Sequence, residues 1–265
     1  GEYEYVITGK RNTVHFLGFS TQKGNYGGGS GLPPTGFLDA SDLYIDDNGY
    51  FEIVVSCEKK GRNWLPMEPD TGLLIVRQTF GNRDKEVPAE LTIKRIGGEN
   101  IPTPVTPQSV DHGLKTASQL VAGVSLLFSK WAKDFSKHTN QLPRMDPAKS
   151  NAAGGDPKIA YYHSYWKLEP EEALLIEAMP PDCEHWNFQL NNHWMESLDY
   201  RYFTIHVNKV TASYREDGSV LIIVAHQDPG NVLYPDSTDD DVPKNPRDYE
   251  KIGAEAPETH REATR

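Results

Sequence analysis

Cysteine is almost missing: Cys57 and Cys183 are the only two in 265 residues. Two residues make no disulfide framework, and a chain this long does not need one, so both are expected as free thiols. No Asn-X-Ser/Thr sequon occurs. The opening Gly1-Glu2-Tyr3-Glu4-Tyr5 has neither the basic start nor the apolar run of a secretion signal, so cytoplasmic residence is the default expectation. Long hydrophobic runs are lacking as well. The most apolar stretch, residues 120–132, is interrupted by Ser125, Ser129 and Lys130 and is too short to span a bilayer. Positive charge is in deficit: 27 Lys and Arg stand against 38 Asp and Glu, a formal net charge of −11. That balance removes the electrostatic footprint that non-specific nucleic-acid binding or docking on an anionic membrane requires.

What is present is punctuation. The chain has 22 Gly, 19 Pro and 10% aromatic residues, which favours many strands and turns over a helical bundle. Its length suits one large or two modest domains. Residues 14–19 read as a strand, followed by a glycine-rich loop over residues 24–36 that Pro33-Pro34 closes. Asp46-Asp47-Asn48-Gly49 is a strong hairpin-turn signal with a strand after it at residues 50–55. Residues 73–80 and 90–96 predict two more strands, the second alternating Leu91 and Ile93 with Thr92 and Lys94. From Leu114 the period changes. Leu114, Ala117, Leu120, Val121, Val124, Leu127, Phe128, Trp131 and Phe135 recur at steps of three and four, which predicts a helix of about six turns packed on a sheet.

Three prolines and Gly154-Gly155 mark residues 141–158 as an exposed connector. It divides a first β-rich part with the long helix (residues 1–140) from a second β-rich part (159–232) and an acidic, loosely held tail (233–265). In the second part, residues 160–168 and 173–178 read as strands. Trp186, Phe188 and Leu190 alternate with Asn187, Gln189 and Asn191, giving one apolar face and one row of amides. Residues 203–208 repeat the pattern with Thr204, His206 and Asn208 on the polar side. Residues 214–219 form a second hairpin signal before the aliphatic run 220–225, which suits a strand covered on both faces.

Residues 160–230 hold five of the nine histidines and three of the five tryptophans. Aromatic rings beside amides and imidazoles are what a pocket for a polar ligand is built from. His193 is the group suited to acid–base work near neutral pH, with Glu196 or Asp199 to orient it or act as a second carboxylate. Asn187, Gln189, Asn191, Trp194, Arg201, His206, His226 and Asp228 are the candidates for binding substrate. His193, Glu196, His206, His226 and Asp228 match no metal-ligand spacing, so neither a metal nor a cofactor is expected. Several motifs are discounted. Gly27-Gly28-Gly29-Ser30-Gly31 lacks the Lys-Ser/Thr of a phosphate loop, and Ser56-Cys57-Glu58-Lys59 lacks the companion motifs of a Ser-X-X-Lys nucleophile. Arg77, on an otherwise aliphatic strand, is expected in a structural ion pair.

Several stretches resemble the bacterial family called domain of unknown function 1214. They are Gly49-Tyr50-Phe51-Glu52, Asn63-Trp64-Leu65-Pro66, Leu74-Ile75-Val76-Arg77-Gln78-Thr79-Phe80 and Pro88-Ala89-Glu90-Leu91, with the more specific Trp186-Asn187-Phe188-Gln189-Leu190-Asn191-Asn192-His193-Trp194-Met195-Glu196-Ser197 and Val224-Ala225-His226-Gln227-Asp228-Pro229-Gly230. The likeness covers most of residues 3–230. It implies a jelly-roll-like β-sandwich and carries over no established activity. After Gly230 the chain departs from the family, which continues into a tryptophan-containing segment.

The sequence thus predicts a mainly β protein, a jelly-roll-like antiparallel sandwich with one long amphipathic helix inserted. The leading functional expectation is an enzyme acting on a carbohydrate-like or other oxygen-rich small molecule by His193-centred acid–base chemistry. The rival is a non-catalytic ligand-binding or assembly module. The expected partner is a polar small molecule or glycan, with no nucleic acid and no membrane, and a homo-oligomer is compatible with either reading.

Overall fold

The computed structural model describes residues 1–24, 31–99 and 101–227, and the backbone of the strand Glu250–Ile252. The protein is mainly β, with several sheets and one main helix. It divides into two compact units. The first comprises residues 1–127 and 143–163, the second residues 128–142 and 164–265.

In the first unit, β1 (Glu4–Lys10), β4 (Tyr50–Ser56), β5 (Trp64–Pro66) and β7 (Glu90–Ile96) form a sheet in the order β5-β4-β1-β7. A second sheet, β3-β2-β6, is made of β2 (Phe16–Lys23), β3 (Pro34–Asp39) and β6 (Thr71–Thr79). Pairing is antiparallel except between β4 and β5. Along β4, Phe51, Ile53 and Val55 are buried while Tyr50 and Glu52 are exposed, the alternation a strand with one covered face requires. Ile7, Phe51, Ile53 and Val55 of one sheet share a core with Leu17 and Phe19 of the other. Phe19 and Phe51 meet edge to face at 5.9 Å.

Two expectations here need correction. Gly49 does adopt a positive φ of 83°, and the Asp46 carboxylate accepts from the amides of Asn48 and Tyr50. The turn is therefore real, but it joins no hairpin. Both edges of β4 are taken, by β1 and β5, so the chain before the turn makes one backbone bond to the start of β4, Asp46 N to the Tyr50 carbonyl at 2.9 Å, and is otherwise tied by Asn63, which exchanges bonds with the Tyr44 backbone at 2.8 and 2.9 Å. On β7 the alternation predicts a buried Ile93, yet this residue is 52% exposed. The strand lies at the sheet edge, and Leu91 is its residue packed against the core cluster.

The helix α1 spans Pro107–Phe135, about eight turns. Proline opens it, and the Thr106 and Ser109 hydroxyls accept reciprocally from each other's amides, a capping box in which serine replaces the usual acid. The expectation that its stripe packs on a sheet fails. No residue of the helix is buried, and Leu114 and Val121 are 65% and 67% exposed. Residues 141–158 are not a bare connector either. They carry the short helix α2 (Pro147–Ala152), capped by Asp146, and place buried Ser150 and Asp156 in the first unit.

In the second unit, β8 (Ala173–Ala178) pairs antiparallel with β11 (Val220–Ala225), and β12 (Glu250–Ile252) lies parallel on the other side of β11. β11 is buried along nearly its whole length, as a strand covered on both faces should be. A separate pair joins β9 (Asn187–Gln189) to β10 (His206–Asn208). The turn at residues 215–219 closes with Gly218 at φ 84°, but both neighbours of β11 come from elsewhere, so this is again a turn without a hairpin. Residues 160–168 form no strand; Tyr162 and Tyr165 make isolated bridges to Arg144 and Thr139. Both cysteines are free. Among the described residues, no helix is long and apolar enough to cross a membrane.

Candidate functional site

The amide row of the second unit forms as its period predicts. Trp186, Phe188 and Leu190 pack into the core cluster of Val207, Ile222 and Val224, while Asn187 and Gln189 stand exposed on the other face of β9. Antiparallel pairing sets His206 opposite Gln189 and Asn208 opposite Asn187, and directly opposed residues share a face. His206 is exposed there. Asn208 is buried instead, because its side-chain oxygen caps the following turn, accepting from the amides of Val210 and Thr211 at 2.9 and 3.1 Å. Gln189 Nε2 donates to Asn191 Oδ1 at 2.8 Å.

Beyond β9 the chain turns tightly around Asn192. Its side-chain oxygen accepts from the amides of Trp194 and Glu196 at 2.9 and 3.0 Å, and its Nδ2 donates to Glu196 Oε2 at 2.7 Å. Met195 takes a positive φ of 61°, and Asn191 bridges Ser197 across the base. The result is a pinned tip that holds His193 and Trp194 out into solvent, their rings 4.7 Å apart.

In this geometry the carboxylates expected beside His193 have other partners. Glu196 is committed to Asn192 rather than to His193. Asp199 is gripped by Arg201 through two bonds of 2.9 and 2.8 Å, and the guanidinium holds its carboxyl below the usual aspartate range. Arg201 is therefore turned to Asp199 and to the Tyr202 ring. His226 is half-buried against Trp166, with Nε2 3.2 Å from the Leu168 carbonyl. Asp228 lies outside the described residues. Among the described residues, no three acidic, His or Cys side chains converge as metal ligands. What stays exposed is Asn187, Gln189 and His206 on the paired strands, and Trp194, Tyr200 and Tyr202 on the connection between them.

A second polar cluster, in the first unit, has no motif to announce it. Gly18, Ser20 and Gln22 of β2 pair with Arg77, Ile75 and Leu73 of β6, and Asp39 of β3 lies opposite Gly18. Arg77, expected in an ion pair, donates to the Gly154 carbonyl at 2.9 Å, and Gln22 Nε2 donates to the same oxygen at 3.0 Å. Lys158 bridges Asp39 and Asp42 at 2.5 and 3.0 Å. Burial opposes ionisation of Asp39, but the hydrogen bonds from Lys158 and Ser41 outweigh it and hold the carboxyl below its ordinary range. Asp156, only 1% exposed, is the opposite case: burial pushes its carboxyl up despite the Lys158 amide and the nearby Arg77 charge. The sequence signal that could have found it is slight: a charged residue on an aliphatic strand, and two glycines in a segment read as a linker.

No family model and no curated protein matches the chain. Among solved structures it is similar to an uncharacterized protein from Burkholderia cenocepacia, seen in a crystal structure, with 45% identity and a TM-score of 0.85. The likeness covers 96% of this chain and 66% of that one. The chain thus spans slightly less than two thirds of that protein's length.

Proposed function

We propose that the second unit is a non-catalytic binding module for a polyhydroxylated small molecule or glycan. The observation that carries this reading is the open polar face of β9 and β10, where Asn187, Gln189 and His206 stand exposed above an apolar layer of Trp186, Phe188 and Leu190. Amides and imidazole exchange hydrogen bonds with ligand hydroxyls in both directions, and the exposed rings of Trp194, Tyr200 and Tyr202 offer faces for C–H surfaces. Binding is favoured over catalysis because Glu196 and Asp199 are each held by a neighbour other than His193. We further propose that the chain belongs to the domain of unknown function 1214 family and that its sheets are of jelly-roll-sandwich type.

The test is calorimetric titration of the whole chain with a panel of mono- and oligosaccharides. Saturable binding that weakens roughly tenfold in Trp194→Ala, about 1–2 kcal/mol for a lost stacking face, supports the proposal. A panel without binders, or binding indifferent to both Trp194→Ala and Asn187→Ala, overturns it.

A further inference from the structure

The apolar stripe of α1 is stricter than a helix needs to cover a sheet. Val110, Leu114, Ala117, Val121, Val124, Phe128, Trp131 and Phe135 follow one another by alternating steps of four and three. That is a 3.5-residue period held over more than three heptads, the repeat of a helix that meets another helix. No titratable residue falls on it: Asp111, His112, Lys115, Lys130, Lys133 and Asp134 occupy the rest of the helical wheel. Yet the chain leaves the seam uncovered. No residue of α1 is buried, and Val110, Leu114 and Val121 are 48%, 65% and 67% exposed. Phe128 and Trp131 rest on each other, their rings 5.9 Å apart.

The sizes along the seam select what fits it. Phe128, Trp131 and Phe135 crowd the C-terminal end, and Ala117 and Val110 lie toward the start. A parallel copy would set Ala117 against Ala117 and Trp131 against Trp131, one layer too thin and another too wide. A copy running the opposite way, with the two-fold axis between Val121 and Val124, pairs Val110 with Phe135, Leu114 with Trp131, Ala117 with Phe128 and Val121 with Val124. Each ring then meets a smaller side chain, and symmetry doubles the four pairs into eight layers of similar thickness over about 39 Å.

The flanks agree with this register. Leu120 meets Leu127 on one side, and Ser118 meets Ser125 on the other. Asp111 comes beside the last turn of the second helix, where Lys133 stands on the same flank, while Asp134 comes to Gly113, so no like charges face each other. The helix dipoles also run in opposite directions. Lipid is the poorer occupant, because a bilayer surface asks for a broad apolar face rather than a 3.5-residue period. A net charge of −11 also opposes anionic headgroups.

We propose that α1 is a dimerisation helix, pairing antiparallel with α1 of a second copy of this chain along the seam of residues 110–135.

Sedimentation equilibrium of the whole chain at micromolar concentrations tests this. The native protein should sediment as a dimer, and Val121→Asp, which puts an acid into both central layers, should raise the dissociation constant at least tenfold. Because the stripe is exposed in the single chain, the variant keeps its fold. Ala117→Phe and Phe128→Ala each spoil the same layer, one by overfilling and one by emptying it, and each should weaken the dimer about tenfold. The double variant exchanges the two sizes across the layer and should return to within about threefold of the native value. A native chain that is monomeric throughout overturns the proposal, as does a dimer indifferent to Val121→Asp. A double variant no tighter than the weaker single variant overturns the antiparallel pairing. A monomer that binds phosphatidylglycerol vesicles, and loses them in Val121→Asp, gives the stripe to lipid instead.

Discussion

Arg77 and Gln22 reach from neighbouring strands to one oxygen, the carbonyl of Gly154, at 2.9 and 3.0 Å. This shared acceptor docks residues 143–163 on the β3-β2-β6 sheet. Gly154 itself sits at φ 86°, and a Cβ there would come within 3.0 Å of Gln22 Nε2. Gly154→Ala therefore meets backbone strain and crowding together, and should destabilise the chain by about 1–3 kcal/mol. Urea unfolding measures this; a loss below a few tenths would mean the contact contributes nothing.

Asn192→Ala removes the acceptor that pins the amides of Trp194 and Glu196. The loop should loosen at a stability cost of about 1 kcal/mol, as for loss of a helix cap. Any saccharide affinity should fall by as much as in Trp194→Ala, because the ring is no longer pre-positioned. Calorimetry on the two variants side by side makes the comparison.

Asp39 should govern part of the acid limb of stability. Its folded carboxyl titrates below the ordinary aspartate range, so on acidification the unfolded chain takes up the proton first. The stabilisation is complete above that ordinary range and is lost as pH falls through the folded value. Asp156 has the opposite sign, its penalty growing as pH rises above the ordinary range. Melting temperature against pH should show a shallower acid slope in Asp39→Asn, and a smaller loss as pH rises above the ordinary aspartate range in Asp156→Asn, than in the native protein.

Ile222 is 3% exposed at the centre of β11 and packs with Leu190, Val207 and Val224. Ile222→Ala should cost about 2–5 kcal/mol through lost transfer energy and the cavity left behind. A change under 1 kcal/mol in denaturant unfolding would mean the site collapses freely.

On α1 the opposite is expected within a single chain. Leu114→Asp and Val121→Asp replace side chains that are mostly in water there, so at dilutions where the chain is monomeric each should change stability by no more than about 0.5 kcal/mol. Larger losses in thermal or urea unfolding at that dilution would require a surface of the same chain covering this stripe.

Periodicity alone determined most of the secondary structure. The strands at Glu90–Ile96, Ala173–Ala178 and Val220–Ala225 and the inward set Trp186, Phe188 and Leu190 follow from side-chain alternation and aliphatic runs, which are local properties. The positive-φ turns at Gly49 and Gly218 are equally local. Which strand pairs with which is not local. Both turns looked like hairpins because the turn type was right, but β4 and β11 found long-range partners that occupied both of their edges. The stripe on α1 specified a helix, but not that its own chain would leave it uncovered. The carboxylates expected beside His193 took local partners for a related reason: Asn192 and Arg201, four and two residues from them along the chain, bond to Glu196 and Asp199. The Gln22–Gly154–Asp156 cluster was decided by the tertiary structure alone. Gln22 lies more than a hundred residues from Gly154 and Asp156, and the burial of one carboxyl leaves no pattern along the chain.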